Sequence, residues 1–353
     1  MELDIYRGLQ QMLDKFSVGF PRTDSGVEIE ILKKLFSEDD AQTFLKLSPL
    51  LESTADLSAK LGLSEDEAAV RLNDMFARGL LFRLRKGDTN YYAAIPFIHG
   101  LFEFQVSRLE PELAKLVEKL MREKMGYNIQ ENGSGFLRTI PVSQSVDPTL
   151  AVAPYEDVEQ ILRSKDLIVV TECICRKAAA MVSDGCGKPR EACFMFGSMG
   201  QYYLDRDMGR RVSADEALQI VRDCQAAGLV TQPASAQNPG GMCNCCGDCC
   251  GVLASMREHP RPAEIVFTNH YARLDRDECN SCGECFDLCQ MDALTLAADG
   301  KAELAVHRCI GCGLCVIACS TGALSLAAKE AVQVPPKNSM EQMINLAKKR
   351  GIL

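Results

Sequence analysis

Apolar residues recur at helical spacing through the first third of the chain. Leu9, Met12, Leu13 and Phe16 share one face of a helix expected over about residues 1–17. A second helix is expected over about 27–36, after a break marked by Gly19, Pro21 and Gly26. Ser37, with Asp40 three positions on, predicts the start of a third helix that ends before Pro49. Residues 53–61 read as a short helix and Gly62-Leu63 as a turn. Ser64 then caps a longer helix through Arg78, which Gly79 ends. Residues 80–95 read as two strands around Lys86-Gly87-Asp88. A long helix over about 110–125 puts Leu113, Leu116, Leu120 and Met121 at core spacing.

Beyond it the pattern changes. Residues 126–154, with Gly133, Gly135, Pro141, Pro148 and Pro154, read as a linker carrying a domain boundary near 140. Residues 155–163 look helical, and Leu167-Ile-Val-Val170 is a compact apolar run expected as a buried strand. A helix over about 214–227 carries Leu218, Val221 and an isolated Cys224, expected as an inert core residue. Past Pro335-Pro336, Ser339 caps a terminal helix, with Gln342 three residues on and Lys348, Lys349 and Arg350 at its favourable end.

Helix, turn, helix and hairpin over 41–95 resemble the winged-helix family. A DNA reader of that kind needs positive charge on its second helix. Here that helix opens Glu65, Asp66, Glu67, and Arg83, Arg85 and Lys86 on the hairpin are the remaining basic cluster. Nucleic acid is therefore disfavoured, and docking or a homodimer through this domain is the expected use.

Composition sharpens the picture. The 353 residues allow two or three domains and include eighteen cysteines, with a net charge of -9. The opening Met-Glu-Leu-Asp lacks the basic start and apolar run of an export signal, and no apolar stretch approaches the ~18 residues of a membrane span. A cytoplasmic setting is expected, where closely spaced cysteines are metal ligands or redox groups. The acidic balance suits a basic redox partner protein better than a phosphate backbone.

Eight of the cysteines form a repeat. Cys279, Cys282, Cys285 and Cys289 follow C-x-x-C-x-x-C-x-x-x-C, and Cys309, Cys312, Cys315 and Cys319 repeat it thirty residues later. Ala293, Leu294 and Leu296 recur as Ala323, Leu324 and Leu326. Thiolate suits iron-sulfur sites, and the spacing differs from the two-plus-two arrangement of a zinc ribbon. The stretch resembles the bacterial-type dicluster ferredoxin family on about one seventh of the chain. The resemblance implies two [4Fe-4S] clusters with crossed fourth ligands, one held by Cys279, Cys282, Cys285 and Cys319, the other by Cys309, Cys312, Cys315 and Cys289. It departs where the family has proline after the fourth cysteine, since Gln290 and Ser320 stand there.

Nine further cysteines lie in the middle of the chain: Cys173, Cys175, Cys186 and Cys193, then Cys243, Cys245, Cys246, Cys249 and Cys250. Thiolates gathered without a cation would repel one another, so a metal site is expected. Two partitions fit: the first four as one tetrathiolate site and the last five as a second, or one site shared between the two loops. A third iron-sulfur cluster, zinc and thiol redox chemistry all remain open. The segment resembles cysteine-rich parts of poorly characterised iron-sulfur proteins of anaerobes. His259, His270 and His307 lie near the cysteines, where each could ligate iron or tune a cluster, but they read as surface or loop histidines and are not named as ligands, and His99 reads as a packed or hydrogen-bonded side chain.

The expected fold class is multidomain α+β: a helical and winged-helix domain (1–140), a cysteine-rich α/β domain (141–265), a dicluster ferredoxin domain (266–330) and a C-terminal helix (331–353). The expected function is electron transfer through two [4Fe-4S] clusters to a partner enzyme or to the central cysteine site. The alternatives are a reductase acting at the central site, as an oxidoreductase component, and a redox-sensing winged-helix regulator.

Overall fold

The computed structural model describes residues 4–146 and 153–353. The chain opens with α1 (Ile5–Asp14), whose N-terminus is capped by the Asp4 carboxylate. Next come α2 (Val27–Leu35) and α3 (Glu38–Phe44). The expected start of α3 is a reciprocal capping box between Ser37 and Asp40. Then follow β1 (Glu52–Ser53), α4 (Thr54–Leu61), α5 (Glu65–Ala77), β2 (Phe82–Lys86) and β3 (Thr89–Ala93). The strands form an antiparallel sheet in the order β1-β3-β2, with Leu84 opposite Tyr91.

Two basic residues of this unit are held in the fold by acidic and aromatic partners. Arg78 makes two bonds to Asp40, at 2.8 and 2.7 Å, and two more to Asp74. Arg83 lies 3.6 Å from the Phe76 ring centroid and reaches Asp205, 3.1 Å away in the middle of the chain.

α6 (Pro111–Leu120) does not end at 125. A wide turn over Met121–Met125 leads directly into α7 (Gly126–Asn132). The following residues, expected as a linker, form a packed strap instead. Arg138 is buried, and its guanidinium donates to the carbonyls of Ala236 (2.8 Å) and Tyr155 (2.6 Å), and to that of Ala234. Thr139 N–H donates to Phe267 O (2.9 Å), Ile140 to Thr231 O (3.3 Å) and Val142 to Cys312 O (3.0 Å). Glycine and proline punctuate this stretch, but Phe136, Leu137, Ile140 and Val142 are buried, and burial decides its fate. Pro148 and its neighbours over 147–152 lie outside the described residues.

The middle of the chain contains α8 (Val158–Arg163), β4 (Ile168–Glu172), α9 (Ile174–Val182), β5 (Glu191–Phe196), α10 (Gly197–Leu204) and β6 (Gly209–Val212). It continues through α11 (Ala214–Ala226), β7 (Val230–Pro233), β8 (Gly241–Cys245), α12 (Gly251–Glu258) and α13 (Pro262–Ile265). Its five strands run in the order β6-β4-β5-β8-β7, and every pairing is antiparallel. The segment expected as α/β is therefore built on a hairpin-type sheet without parallel crossovers.

The last part holds β9 (His270–Leu274), α14 (Glu284–Leu288), β10 (Leu294–Leu296), β11 (Ala302–Leu304), α15 (Leu314–Ala318) and β12 (Leu324–Ala328). β9 pairs antiparallel with β12, and β10 with β11. The terminal α16 (Ser339–Lys349) is capped by Asn338, one residue before the expected Ser339. Gln342 anchors it by donating to the carbonyls of Gly135 and Phe136, at 2.9 and 2.7 Å.

One buried apolar cluster runs from Tyr6 through Tyr202 and Cys250 to Leu314 and Leu346, so the three parts share a core. Helix and sheet are mixed throughout. Among the described residues no helix is long and apolar enough to cross a membrane.

Candidate metal centres

The two cysteine runs place their thiols in two neighbouring cavities. Cys279, Cys282, Cys285 and Cys319 line one, with Leu274, Phe286 and Ala302. Cys289, Cys309, Cys312 and Cys315 line the other, with Ala272, Leu288 and Ile310. Each run begins in a loop of backbone N–H groups and ends beyond a five-residue helix, α14 or α15. The fourth cysteine thereby leaves its own loop and joins the other cavity.

Backbone N–H groups are aimed at sulfur: Ala272 and Gly311 at Cys309 (3.2 and 3.4 Å), Ala293 at Cys289 (3.2 Å) and Ala302 at Cys279 (3.5 Å). The bond from Ala302 holds the Cys279 thiol below its ordinary range, since an N–H favours the thiolate. Burial pushes Cys285 up to about 11 and Cys312 up to about 12, which a bound cation would reverse. Glycine is required at Gly311, where φ is +66° and a Cβ would stand 2.2 Å from the His270 carbonyl oxygen. Apolar walls, four soft donors in each cavity and N–H groups aimed at sulfur fit an iron-sulfur cluster.

Residues 271–320 match the family model of the 4Fe-4S dicluster domain. No curated protein and no solved structure matches the chain. The dicluster domain binds [4Fe-4S] clusters, and its two cavities differ in setting. Cys282 is exposed and Cys279 and Cys319 are partly so, whereas Cys309 and Cys315 are buried and Cys312 packs against the main core.

The central cysteines divide six and three. Cys173 stands at the N-terminus of α9 and Cys175 lies within it. Cys193 on β5 is directly opposite Cys243 on β8, Cys245 lies two residues further on the same face, and Cys250 caps α12. Each of these six side chains interacts with two of the others, in the order Cys173, Cys175, Cys250, Cys245, Cys243, Cys193 and back to Cys173, so that they form a closed ring. Their neighbours hold Cys173, Cys243 and Cys250 well below the ordinary thiol range, and push the alternate three, together with burial, well above it.

Cys246 follows the ring residue Cys245 but belongs to another group. Its sulfur is 3.8 Å from that of Cys186, and the sulfurs of Cys186, Cys246 and Cys249 all lie within 4.8 Å of one another. Grouping Cys186 with Cys173, Cys175 and Cys193, as sequence order suggests, is thus not the arrangement the fold makes. The Gly-rich turn around Cys186 carries it away from the ring, and strand pairing brings Cys243 in instead.

Three further residues complete the surroundings. Arg176 is buried and donates to the Asn244 carbonyl (3.0 Å), while its Nε and Nη2 have no hydrogen-bond partner among the described residues. Burial opposes its charge, but the neighbouring cysteine sulfurs, that of Cys173 first, outweigh it and raise the pKa of the guanidinium. His99, in the left-handed region at φ 56°, packs on Phe136; burial would lower its pKa, but the neighbouring Cys243 sulfur and Glu103 outweigh it and raise it. Glu103, pushed up to about 7 chiefly by burial, lies close enough to feel the His99 charge. His99 is thus a packed side chain beside a cysteine, within the sequence expectation, whereas no role for Arg176 or Glu103 was read from the sequence. The Cys-Ile-Cys-Arg176 string was the available signal. His259 accepts from Arg261 N–H (3.2 Å), His307 is exposed, and His270 contributes its carbonyl at Gly311.

The central loop and the dicluster domain are joined directly. Gly247 N–H donates to Gln290 Oε1 at 2.7 Å in a buried setting. Arg257 grips Asp292 with two bonds of 2.7 Å, and Arg308 donates to the carbonyls of Met291 and Arg257, both at 2.7 Å. The turn that follows Cys289 is therefore fixed against the loop that carries Cys246 and Cys249.

Proposed function

We propose that the chain is an electron-transfer protein in which single electrons enter at the exposed quartet, cross to the buried quartet and pass to the central six-thiol ring. Cys279, Cys282, Cys285 and Cys319 would ligate the outer [4Fe-4S] cluster and Cys289, Cys309, Cys312 and Cys315 the inner one. When bound, such clusters supply one-electron chemistry, and the protein tunes it through burial, charge and N–H···S bonds. The bond from Gly247 to Gln290 carries this reading, because it seats the inner quartet's turn on the central cysteine loop.

The ring would take a third iron-sulfur centre. Six thiols, four of them buried and two partly so, exceed the need of any structural core, and Arg176 supplies a positive charge beside them. A reductase reading, with the central site as the place of reaction, is favoured by the partial exposure of Cys186 and Cys249 beside the ring. The winged-helix-like unit serves as a docking element in this account. Its hairpin packs on α10 through the Tyr202 hydroxyl, which donates to Leu81 O (3.0 Å), and through stacking of Phe82 on Tyr202. The domain limits and a cytoplasmic setting belong to the same proposal.

The test is kinetic. Reduction of the full chain by a photogenerated one-electron donor should bleach the dicluster absorbance and then show a slower recovery as charge moves inward. Replacing Cys173 and Cys245 by serine should abolish the recovery and leave the first phase intact. Identical traces for the two proteins would sink the proposal.

A further inference from the structure

We propose that Cys186, Cys246 and Cys249 form a mononuclear site, separate from the six-thiol ring, for a thiophilic divalent cation of the zinc class, with three thiolate ligands and a fourth position open to an exogenous ligand. This holds whether or not the ring takes a cluster, since it rests on different residues.

Spacing separates the two kinds of site. Four thiolates around one zinc at about 2.3 Å leave neighbouring sulfurs about 3.8 Å apart, the edge of a tetrahedron of that size. The sulfurs of Cys246 and Cys186 stand 3.8 Å apart, and that of Cys249 completes a triangle within 4.8 Å. A cluster distributes its cysteines over different irons, so its ligands stand further apart. The dicluster quartets show this contrast within the same chain. Among the described residues, no three sulfurs of either quartet, or of the ring, close to within 4.8 Å of one another.

The local chain fits a single ion as well. Cys246 and Cys249 are three apart, the C-x-x-C spacing with which one turn presents two thiolates to a metal. Cys186 stands between Gly185 and Gly187, both at positive φ (+64° and +66°), in a turn that brings a third donor from a distant part of the chain. Cys246 is buried while Cys186 and Cys249 are partly exposed, so the site opens on one side.

Three thiolates on a divalent ion leave a net negative charge. Arg176, with two buried N–H groups unpartnered among the described residues and its charge felt by Cys246, lies where that charge is compensated. Cys224 shares the apolar cluster around Cys246, but its sulfur lies outside the 4.8 Å set, which leaves the fourth position to water or a small anionic ligand. A metal held this way acidifies a bound water and polarises an oxygen or sulfur ligand.

Zinc and iron would be measured on full-length protein purified anaerobically and equilibrated with zinc, alongside X-ray absorption at the zinc edge. About one zinc per chain is expected, with a shell of about three sulfurs and one oxygen or nitrogen. Cys186→Ser/Cys249→Ser should lower zinc about tenfold or more and leave iron and the visible spectrum unchanged. Cys224→Ala and the ring variant Cys173→Ser/Cys245→Ser should keep the zinc. A wild-type chain without zinc, a four-sulfur shell, or zinc lost with Cys224→Ala would overturn the proposal. The wild-type absorption spectrum decides the matter even where a variant fails to fold. Loss of iron only in the ring variant would leave the zinc site standing and test the electron-transfer reading separately.

Discussion

Gln290, the residue after Cys289, accepts a 2.7 Å hydrogen bond from the backbone N–H of Gly247 in the central cysteine loop. The dicluster family pattern has proline at this position, and proline has no side-chain acceptor. The departure from the pattern thus coincides with the point where the dicluster domain meets the central site.

Gln290→Leu should keep both cavities and loosen their junction. A buried N–H left without an acceptor costs about 1–3 kcal/mol. The melting temperature should fall, and amide exchange should quicken over 246–250 rather than in the quartet loops. Unchanged exchange at Gly247 would show that the bond does not hold the loop.

Gly311→Ala should damage the inner quartet selectively. The new Cβ would meet the His270 carbonyl at 2.2 Å, in a conformation at φ +66° that favours glycine. About four irons should be lost, with the outer cluster's paramagnetic resonance signal retained. Full iron content in this variant would refute the packing account of the inner site.

Asp40 links acid stability to the fold of the first unit. Burial alone would raise its pKa, but bonds from Arg78 and Ser37 outweigh it and hold the carboxyl below the ordinary range. A carboxylate depressed in the folded state stabilises above its unfolded pKa, and that contribution is lost as pH falls through the folded value. Asp40→Asn should cost about 1–3 kcal/mol at neutral pH and progressively less as pH falls below about 4, read by urea unfolding at several pH values. A pH-independent cost would contradict the assignment.

The dicluster segment was legible because its ligands are local. Three of four cysteines in each run come from one loop, and the run repeats, so spacing alone places them. The ring was not legible, because strand register makes it: Cys193 meets Cys243 only through the pairing of β5 with β8, neither of which shows an uninterrupted apolar alternation. The end of β8 at Cys245 likewise separates that residue from its neighbour Cys246, which lies beyond the strand. Helix starts such as Ser37 and Ser64 were readable from capping residues, because a cap is a contact three positions away. The strap over 137–142 was misread as a linker because its partners, Pro233, Phe267 and Cys312, are far away in sequence. Gln290 was visible as a departure, but its partner Gly247 was not.

Iron and acid-labile sulfide per chain, measured on anaerobically purified full-length protein with paramagnetic resonance during reductive titration, test the central claim most directly. The account predicts clearly more than the about eight irons that two [4Fe-4S] clusters supply, and a third reducible signal lost on replacing Cys173 and Cys245. About eight irons, with only the dicluster signals through full reduction, would contradict it.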